Sequence, residues 1–240
     1  MSDRPPQTGD HRRDPDFWQR QRMVDDQIRA RGIKDARVLE AMERVPREKF
    51  VPADQVAYAF ADRALSVGLG QTISQPFMVA AMTAALQLKP HHRVLEVGTG
   101  SGYQTALLAQ LAALVFTIER LEPLLNAARE RLASLGIVNV HYRVGDGSLG
   151  WPEAAPFDRI IVTAGAPEVP PSLVEQLAEA GRLVIPVGRQ DEQTLTVVER
   201  SAGRARETPG LACRFVKLIG RQGWSDDEST APSRAERSVP

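Results

Sequence analysis

The sequence contains little cysteine and no long apolar run. Its one cysteine, Cys213, excludes an internal disulfide and a cysteine-rich zinc site. No stretch approaches the roughly 20 apolar residues that a membrane-spanning helix needs. The first 16 residues also lack the apolar segment of a secretory signal. We therefore expect a cytoplasmic protein that does not insert into a membrane.

The sequence also lacks an excess of charge of either sign. Its 240 residues include 30 acidic and 30 basic side chains, so the formal net charge is zero. Nucleic-acid-binding proteins carry a basic stripe or a high isoelectric point, and we expect no nucleic-acid partner. The histidines are scattered and give no ligand spacing, so we expect no metal site. They are His11, His91, His92 and His141.

Apolar periodicity is missing at both ends of the chain. Residues 1–15 and 225–240 are rich in polar residues and proline, which predicts two disordered tails. Residues 16–90 form a predicted N-terminal helical region, whose first helix runs from Phe17 to Ala30. Residues 91–224 form the predicted core. The chain length of 240 residues suits one α/β domain with small additions, or two small domains.

Strands alternate with helices through most of the predicted core, a pattern that predicts βαβ units and a parallel sheet. One late helix is predicted over residues 172–181. Two consecutive strands near the end, "TLTVVER" and "LACRFVKLIG", predict an antiparallel pair at the sheet edge. We expect an α/β fold with a doubly wound, mostly parallel seven-stranded sheet. It forms a Rossmann-like three-layer sandwich with an N-terminal helical addition.

A glycine-rich loop follows the first core strand in "VLEVGTGSGYQT". Gly98, Gly100 and Gly102 allow the backbone to turn sharply and to approach a ligand closely. The dinucleotide fingerprint needs glycine at its sixth position, where this chain has Tyr103, and no Lys-Ser/Thr pair makes a phosphate loop. The G-x-G-x-G spacing, with Glu96 two residues before it, resembles motif I of S-adenosylmethionine-dependent methyltransferases.

Acidic residues at the ends of the next two strands agree with an adenosine-type cofactor. Glu119 lies about 20 residues after the loop, where an acid accepts hydrogen bonds from ribose hydroxyls. Asp146 follows the third strand, where the superfamily places an acid or amide beside the adenine, and we assign it to the exocyclic amine. Taken alone, Glu119 could be a surface or capping acid and Asp146 a turn residue. The predicted cofactor-binding residues are Ile73, Ser74, Glu96, Gly98, Thr99, Gly100, Ser101, Gly102, Glu119, Arg120, Asp146 and Gly147.

The chain as a whole resembles the protein-L-isoaspartate O-methyltransferases. The resemblance is carried by stretches such as "ALSVGLGQTISQPFMVA", "VLEVGTGSGYQTALLA" and "GDGSLGWPEAAPFDRIIVTAGAPEVPPSLVEQL", and it extends over residues 23–224. The family often has proline where Ser66 stands and usually has proline where Lys217 stands. A lysine at the second position could alter the preference for residues that flank the substrate site.

This resemblance implies methyl transfer from S-adenosylmethionine to the α-carboxylate of L-isoaspartyl residues in damaged proteins and peptides. The ester then loses methanol as a backbone nitrogen attacks, and the resulting succinimide hydrolyses partly to normal aspartate. A carboxylate has a pKa of about 4 and is already ionised at neutral pH. The acceptor therefore needs positioning rather than a strong general base.

The segment "GQTISQP" offers the groups that such positioning requires. The hydroxyls of Thr72 and Ser74, with nearby N–H groups, would hold the carboxylate without neutralising it, and Ser74 is the principal candidate. Asp62, which resembles a family acid, is a third catalytic candidate that would position Ser74 or the substrate amide. Ser74 could also cap the following helix, alone or together with the first role, since a helix N-terminus favours an anionic substrate. Asp62 could be a surface acid paired with Arg63 or another base.

Three other functions are compatible with parts of the pattern. A related methyltransferase would act on another small-molecule or protein carboxylate, or on nucleic acid, although the Pro-Pro motif of amino-methylating DNA enzymes is not matched by "TAGAPEVPPS". A non-catalytic binding protein would be expected to have degraded cofactor motifs. Tyr103 disfavours an NAD-dependent oxidoreductase. We expect a monomeric enzyme with isoaspartyl proteins as its partners.

Overall fold

The computed structural model describes residues 15–225. The two tails predicted to be disordered lie outside this range, apart from their innermost residues Pro15 and Ser225. No helix within the described range is long and apolar enough to cross a bilayer.

The first helical segment is a composite of three helix types. Helix α1, Phe17–Met23, continues into a π-helical turn, Val24–Ile28, and then into a 3₁₀ turn, Arg29–Arg31. Gly32 ends the segment with a left-handed φ of 93°, a conformation that glycine adopts without steric cost. The predicted extent of this helix is confirmed, and its change of pitch had no signal in the apolar spacing.

Two further helices flank a short hairpin. Asp35 caps helix α2, Ala36–Arg44, by accepting hydrogen bonds from two N–H groups of its first turn. Strands β1, Leu65–Gly68, and β2, Gln71–Ile73, pair antiparallel, and helix α3, Pro76–Ala85, follows directly. The segment "GQTISQP" therefore includes the second strand of the hairpin and ends at the first residue of a buried helix.

The remaining strands form one seven-stranded sheet. They are β3 Arg93–Val97, β4 Leu114–Glu119, β5 Val140–Val144, β6 Phe157–Val162, β7 Leu177–Gly188, β8 Gln193–Ser201 and β9 Arg204–Cys213. The helices between them are α4 Tyr103–Leu111, α5 Glu122–Ser134 and α6 Pro171–Glu175. The strand order is β5-β4-β3-β6-β7-β8-β9, and β8 alone runs opposite to the other six strands, antiparallel to its neighbours β7 and β9. The predicted fold class is confirmed.

The central strands of the sheet are buried on both faces. Val94 of β3 and Val115 of β4 pack into a core shared with α2, α3 and α4. The adjacent Leu95 and Phe116 point to the opposite face and pack with Leu173 of α6. Because alternate residues enter different cores, the helices form two layers around the sheet. The carboxyl ends of β3, β4 and β6 therefore open at one edge, where doubly wound sheets bind ligands.

The helix predicted over residues 172–181 is wrong in its second half. Helix α6 ends at Glu175, and Leu177 begins β7. Leu177 and Arg182 both pair with β6, and the register shifts between them, where Ala180 has a φ of 58°. The residues "AEAG", 178–181, have only a weak intrinsic preference for helix, and pairing with the buried strand β6 outweighs it.

The last strand also lies earlier than predicted. The sequence placed it over residues 211–220, whereas β9 covers Arg204–Cys213. The turn residues Ala202 and Gly203 both have positive φ, 49° and 71°, and this two-residue turn fixes the register of the hairpin. Residues 214–220 leave the sheet and hydrogen-bond beside the loop that follows β6.

Candidate active site

Three adjoining cavities open where the loops after β3, β4 and β6 meet the β1–β2 hairpin. The loop cavity, of about 440 Å³, is lined by residues of the glycine loop and the end of β4. The hairpin cavity, of about 310 Å³, is lined by the hairpin, the start of α3 and the chain after β9. A small cavity of about 50 Å³ adjoins them. Thr72 and Thr163 line all three, so these two residues mark the junction.

The glycine loop leaves no room for side chains at its closest approach to Thr163. Gly98 has a φ of 96°, and a Cβ atom on it would lie 2.3 Å from Thr163 Oγ1. That hydroxyl instead donates a hydrogen bond to the Gly98 carbonyl over 2.7 Å. Gly102 has a φ of 87° and is the N-cap residue of α4, and it lines none of the three cavities among the described residues. The loop is thus a rigid backbone surface facing the loop cavity.

Glu119 joins the end of β4 to the glycine loop. Its Oε2 accepts a hydrogen bond from the Gly100 N–H over 2.9 Å, and its Oε1 accepts one from the Leu121 N–H over 3.1 Å. The residue is 7% exposed and lines the loop cavity together with Arg120. Each carboxylate oxygen has a further lone pair, so Glu119 keeps acceptor capacity for a ligand in that cavity.

Glu96 lies beneath the loop rather than in a cavity. Its Oε2 accepts hydrogen bonds from the Thr105 and Thr117 hydroxyls over 2.5 and 2.6 Å. The Thr117 hydroxyl also contacts that of Thr99 over 2.6 Å, which links Glu96 to the loop. Complete burial raises the pKa of Glu96 to about 8, because the charged form is desolvated. The residue lines none of the three cavities found in residues 15–225.

Asp146 faces the C-terminal segment. Its Oδ1 accepts hydrogen bonds from the Ser148 N–H and hydroxyl over 2.9 and 2.6 Å, and its Oδ2 accepts one from the Arg221 N–H over 2.8 Å. This is the capping geometry of a turn residue, and Asp146 does not line the loop cavity of the described chain. The next residue, Gly147, does line it, where a Cβ atom would lie 2.4 Å from Val97 Cγ1.

The predicted acceptor residues surround the junction of the cavities. Thr72 and Ser74 both line the hairpin cavity and the small cavity. Within residues 15–225 neither hydroxyl has a recorded hydrogen-bond partner, so both remain available to a substrate. Helix α3 has Gln75 as its N-cap and no side-chain capping bond, so the alternative of Ser74 as a helix cap is wrong. Three predicted cofactor residues line the small cavity and neither of the larger ones: Ile73, Thr99 and Ser101.

Asp62 is separated from Ser74 by an arginine. Its Oδ2 accepts a hydrogen bond from Arg31 Nη1 over 2.9 Å, and both side chains are about two-fifths exposed, 38% and 43%. Arg31 lines the hairpin cavity and stacks over the ring of Phe77 at 3.5 Å, whereas Asp62 lines none of the cavities described. The alternative of a surface ion pair is therefore observed, with Arg31 as the base. Arg63 lies instead over the ring of Tyr58.

The comparison with known proteins decides the family. The family model for protein-L-isoaspartate(D-aspartate) O-methyltransferase matches residues 18–223. The chain belongs to this family. It is 55% identical over 210 residues to protein-L-isoaspartate O-methyltransferase 2 of Geotalea uraniireducens (strain Rf4), covering 87% of this chain and 97% of the relative. It is 53% identical over 210 residues to protein-L-isoaspartate O-methyltransferase of Geobacter metallireducens, with the same two shares.

Solved structures agree with this isoaspartate methyltransferase assignment. A protein-L-isoaspartate O-methyltransferase superposes with a TM-score of 0.77 at 29% identity, covering 85% of this chain and 67% of that one. A Plasmodium falciparum structure described as a putative member, in complex with S-adenosyl-L-homocysteine, gives 0.74 at 28% identity and covers 83% and 98%. The predicted enzyme class and its cofactor, S-adenosylmethionine, are confirmed.

Three residues that contact the site of this isoaspartate methyltransferase were not predicted from its sequence. Thr163 follows β6 in "IIVTAG", so its place at the end of a core strand was a usable signal. The sequence carried no such signal for Arg31 and Arg47, because contacts between distant segments bring them to the site. Arg47 is fully buried, and its Nη2 donates to the Ser74 carbonyl over 2.8 Å.

Proposed function

We propose that the hydroxyls of Ser74 and Thr72 orient the α-carboxylate of an L-isoaspartyl residue for methylation. The observation that carries this is the pair of hydroxyls without partners in residues 15–225, at the wall where the hairpin cavity meets the loop cavity. The hairpin cavity would take the peptide, and the loop cavity would take the cofactor. Residues 16–90 then supply most of the acceptor side and residues 91–224 the cofactor side.

The loop cavity fits S-adenosylmethionine by its shape and by its donor set. Side chains are excluded at Gly98 and Gly147, which leaves backbone faces on which a flat nucleoside can lie. We assign the ribose hydroxyls to Glu119, whose carboxylate is fixed by two N–H groups. When bound, the cofactor supplies an electrophilic methyl group. Arg120 lines the same cavity, and Asp146 would reach the adenine only at its edge.

No general base is assigned, because the acceptor oxygen is already anionic. The work of the protein is to hold that oxygen in line with the methyl group at about 3 Å and to keep water out. A neutral hydroxyl donor orients the carboxylate and leaves much of its charge for attack. Asp62 acts one step away in this scheme, by holding Arg31 against the hairpin cavity.

The test is a pair of peptides that differ only in Asp versus isoAsp, incubated with labelled S-adenosylmethionine. Base-labile label on the isoAsp peptide alone is the expected result. Equal labelling of both peptides would point to a less selective carboxylate methyltransferase, and no labelling would reject the function.

A variant tests the assignment of Ser74. A hydrogen bond to a charged group contributes about 1.5–3 kcal/mol, so Ser74→Ala should lower kcat/KM by roughly 10- to 100-fold. The dissociation constant of the cofactor should change little. Ser66→Ala is the matched control, since Ser66 lies on the same hairpin, is exposed and lines none of the cavities of the described chain. An unchanged rate in Ser74→Ala would contradict the assignment.

We further propose that the chain acts as a cytoplasmic monomer without a nucleic-acid partner. Its balance of 30 acidic and 30 basic side chains supports the last point, since the nucleic-acid backbone attracts a basic surface. Light scattering during gel filtration would reject the monomer if the mass exceeded that of one chain, 26.3 kDa.

A further inference from the structure

The hairpin cavity carries positive charge. Among the described residues that line it, Arg31 and Arg214 are charged and none is acidic. The chain as a whole has equal numbers of acidic and basic residues, so this bias is local to the cavity. The two arginines come from different elements, one from the end of the first helical segment and one from the residue after β9.

Arg31 is fixed and partly neutralised. Its Nη1 bonds to Asp62 over 2.9 Å, and its guanidinium stacks 3.5 Å from the centre of the Phe77 ring. The acid removes most of its net charge, so Arg31 shapes the wall more than it attracts an anion. This arrangement also spares the nearby acceptor carboxylate from a bare arginine, which would lower its nucleophilicity.

Arg214 differs from Arg31 in having no such acid. Within residues 15–225 the structure records no hydrogen bond and no ion pair for it, and its side chain is exposed. Summing Arg31, Asp62 and Arg214 leaves one positive charge at the cavity. An exposed guanidinium without an acidic partner, such as that of Arg214, can bind a carboxylate through two parallel hydrogen bonds.

We infer that this enzyme prefers isoaspartyl sites with an acidic residue beside them, and that Arg214 binds the flanking carboxylate. The inference rests on the proposed function, since it assigns the peptide to the hairpin cavity. Ser74 and Thr72 take the acceptor carboxylate, so a second anion on the peptide meets Arg214. Glutamate and aspartate are the side chains that supply it.

The test compares isoaspartyl peptides that are identical except for Glu, Gln or Lys at the positions next to isoAsp. An exposed ion pair contributes about 0.2–1 kcal/mol, so kcat/KM for the Glu peptide should exceed that for the Gln peptide by roughly 1.5- to 5-fold. The Lys peptide should be the poorest. The preference for the Glu peptide should shrink at 0.5 M salt, because the screening length falls to about 4 Å.

Variants assign the preference to one side chain. Arg214→Glu should reverse the order and favour the Lys peptide, and Arg214→Gln should abolish the preference. Arg206→Glu is the control, because Arg206 lies exposed on β9, the strand that leads to Arg214, stays outside the cavity and undergoes the same change of charge. The readout is a ratio between peptides, so a general loss of activity cancels.

The two hypotheses fail in different ways. If the Gln peptide is not methylated at all, the proposed function is wrong. If all three peptides are methylated equally well by the unaltered enzyme, the function stands and the acidic preference is refuted. An unaltered preference in Arg214→Glu would also refute the role of Arg214.

Discussion

Arg47 offers the sharpest test of how the acceptor side is held in place. It is fully buried and has no acidic partner recorded in residues 15–225. Its Nε donates to the Ala59 carbonyl and its Nη2 to the Ser74 carbonyl, each over 2.8 Å. Its guanidinium also lies 4.8 Å from the centre of the Tyr103 ring, at the start of α4. Arg47 therefore ties the backbone of Ser74 to the helix that follows the glycine loop.

The Arg47→Met change keeps the apolar stem and removes these contacts. The buried Ala59 carbonyl and the partly buried Ser74 carbonyl lose their donor, at about 1–2 kcal/mol each, and the ring contact contributes roughly 0.5–2 kcal/mol more. Burial lowers the pKa of Arg47 by desolvating its charge, and removing that charge offsets part of the loss. The net expectation is a loss of about 2–4 kcal/mol, which lowers Tm by roughly 5–12 °C for a domain of this size.

Urea titration measures the stability, and methyl transfer well below the Tm of the variant measures the function. Because the Ser74 carbonyl loses its anchor, kcat/KM for an isoaspartyl peptide should fall while the dissociation constant of the cofactor changes less. Arg44→Met, on the exposed face of α2 with only a surface pair to Glu40, should stay within about 0.5 kcal/mol. An unfolding midpoint for Arg47→Met equal to that of the unaltered chain would refute the reasoning. A loss of stability with full activity would refute the coupling to Ser74.

Three further predictions concern the cofactor side. Gly98→Ala should lower the free energy of unfolding by about 2 kcal/mol or more and bind S-adenosylmethionine poorly, because its Cβ meets Thr163. Gly136→Ala is the control: at a φ of 71° with open space around it, it should show only the backbone cost of about 1 kcal/mol. Urea titration compares the stability of the two variants, and calorimetry compares their affinity for the cofactor. Glu119→Gln should raise the dissociation constant of the cofactor about tenfold or more in a calorimetric titration, since a charged acceptor is lost; an unchanged constant would contradict the ribose assignment. The folded-state pKa of Glu96 is about 8 against an ordinary 4.5, so its contribution is complete below about pH 4.5 and is lost as pH rises towards 8. Glu96→Gln should therefore gain stability relative to the parent chain between pH 5 and 8, and a constant difference across that interval would show that Glu96 is ionised throughout.

The parts of the site that the sequence predicts are those set by local geometry. A strand that runs into closely spaced glycines requires a turn at the sheet edge, and Gly98 and Gly100 do line the loop cavity. Glu119 ends the neighbouring strand, and parallel strands bring their carboxyl ends to the same edge. Their proximity follows from topology alone, so no long-range information was needed.

The parts that the sequence does not predict depend on contacts between distant segments. Arg31 and Asp62 are 31 residues apart, and Arg47 and Ser74 are 27 apart, so no local pattern pairs them. The directions in which the Glu96 and Asp146 side chains point are likewise set by the residues around them, which come from other parts of the chain. The sequence correctly placed Glu96 in the strand before the glycine loop and Asp146 after the third strand, yet Glu96 points into threonine hydroxyls and Asp146 towards the C-terminal segment.

The distribution of charge in this site agrees with the carboxylate acceptor that we propose for it. Glu96, Glu119 and Asp146 all lie on the side of the glycine loop, where each accepts hydrogen bonds from backbone N–H groups or hydroxyls. The hairpin cavity holds free hydroxyls and cations instead. A carboxylate acceptor would be repelled by acids at contact distance and would be deactivated by a tight, bare arginine pair. In the proposed arrangement the acids stay on the cofactor side and Arg31 is paired with Asp62, so the acceptor would enter as an anion and remain nucleophilic.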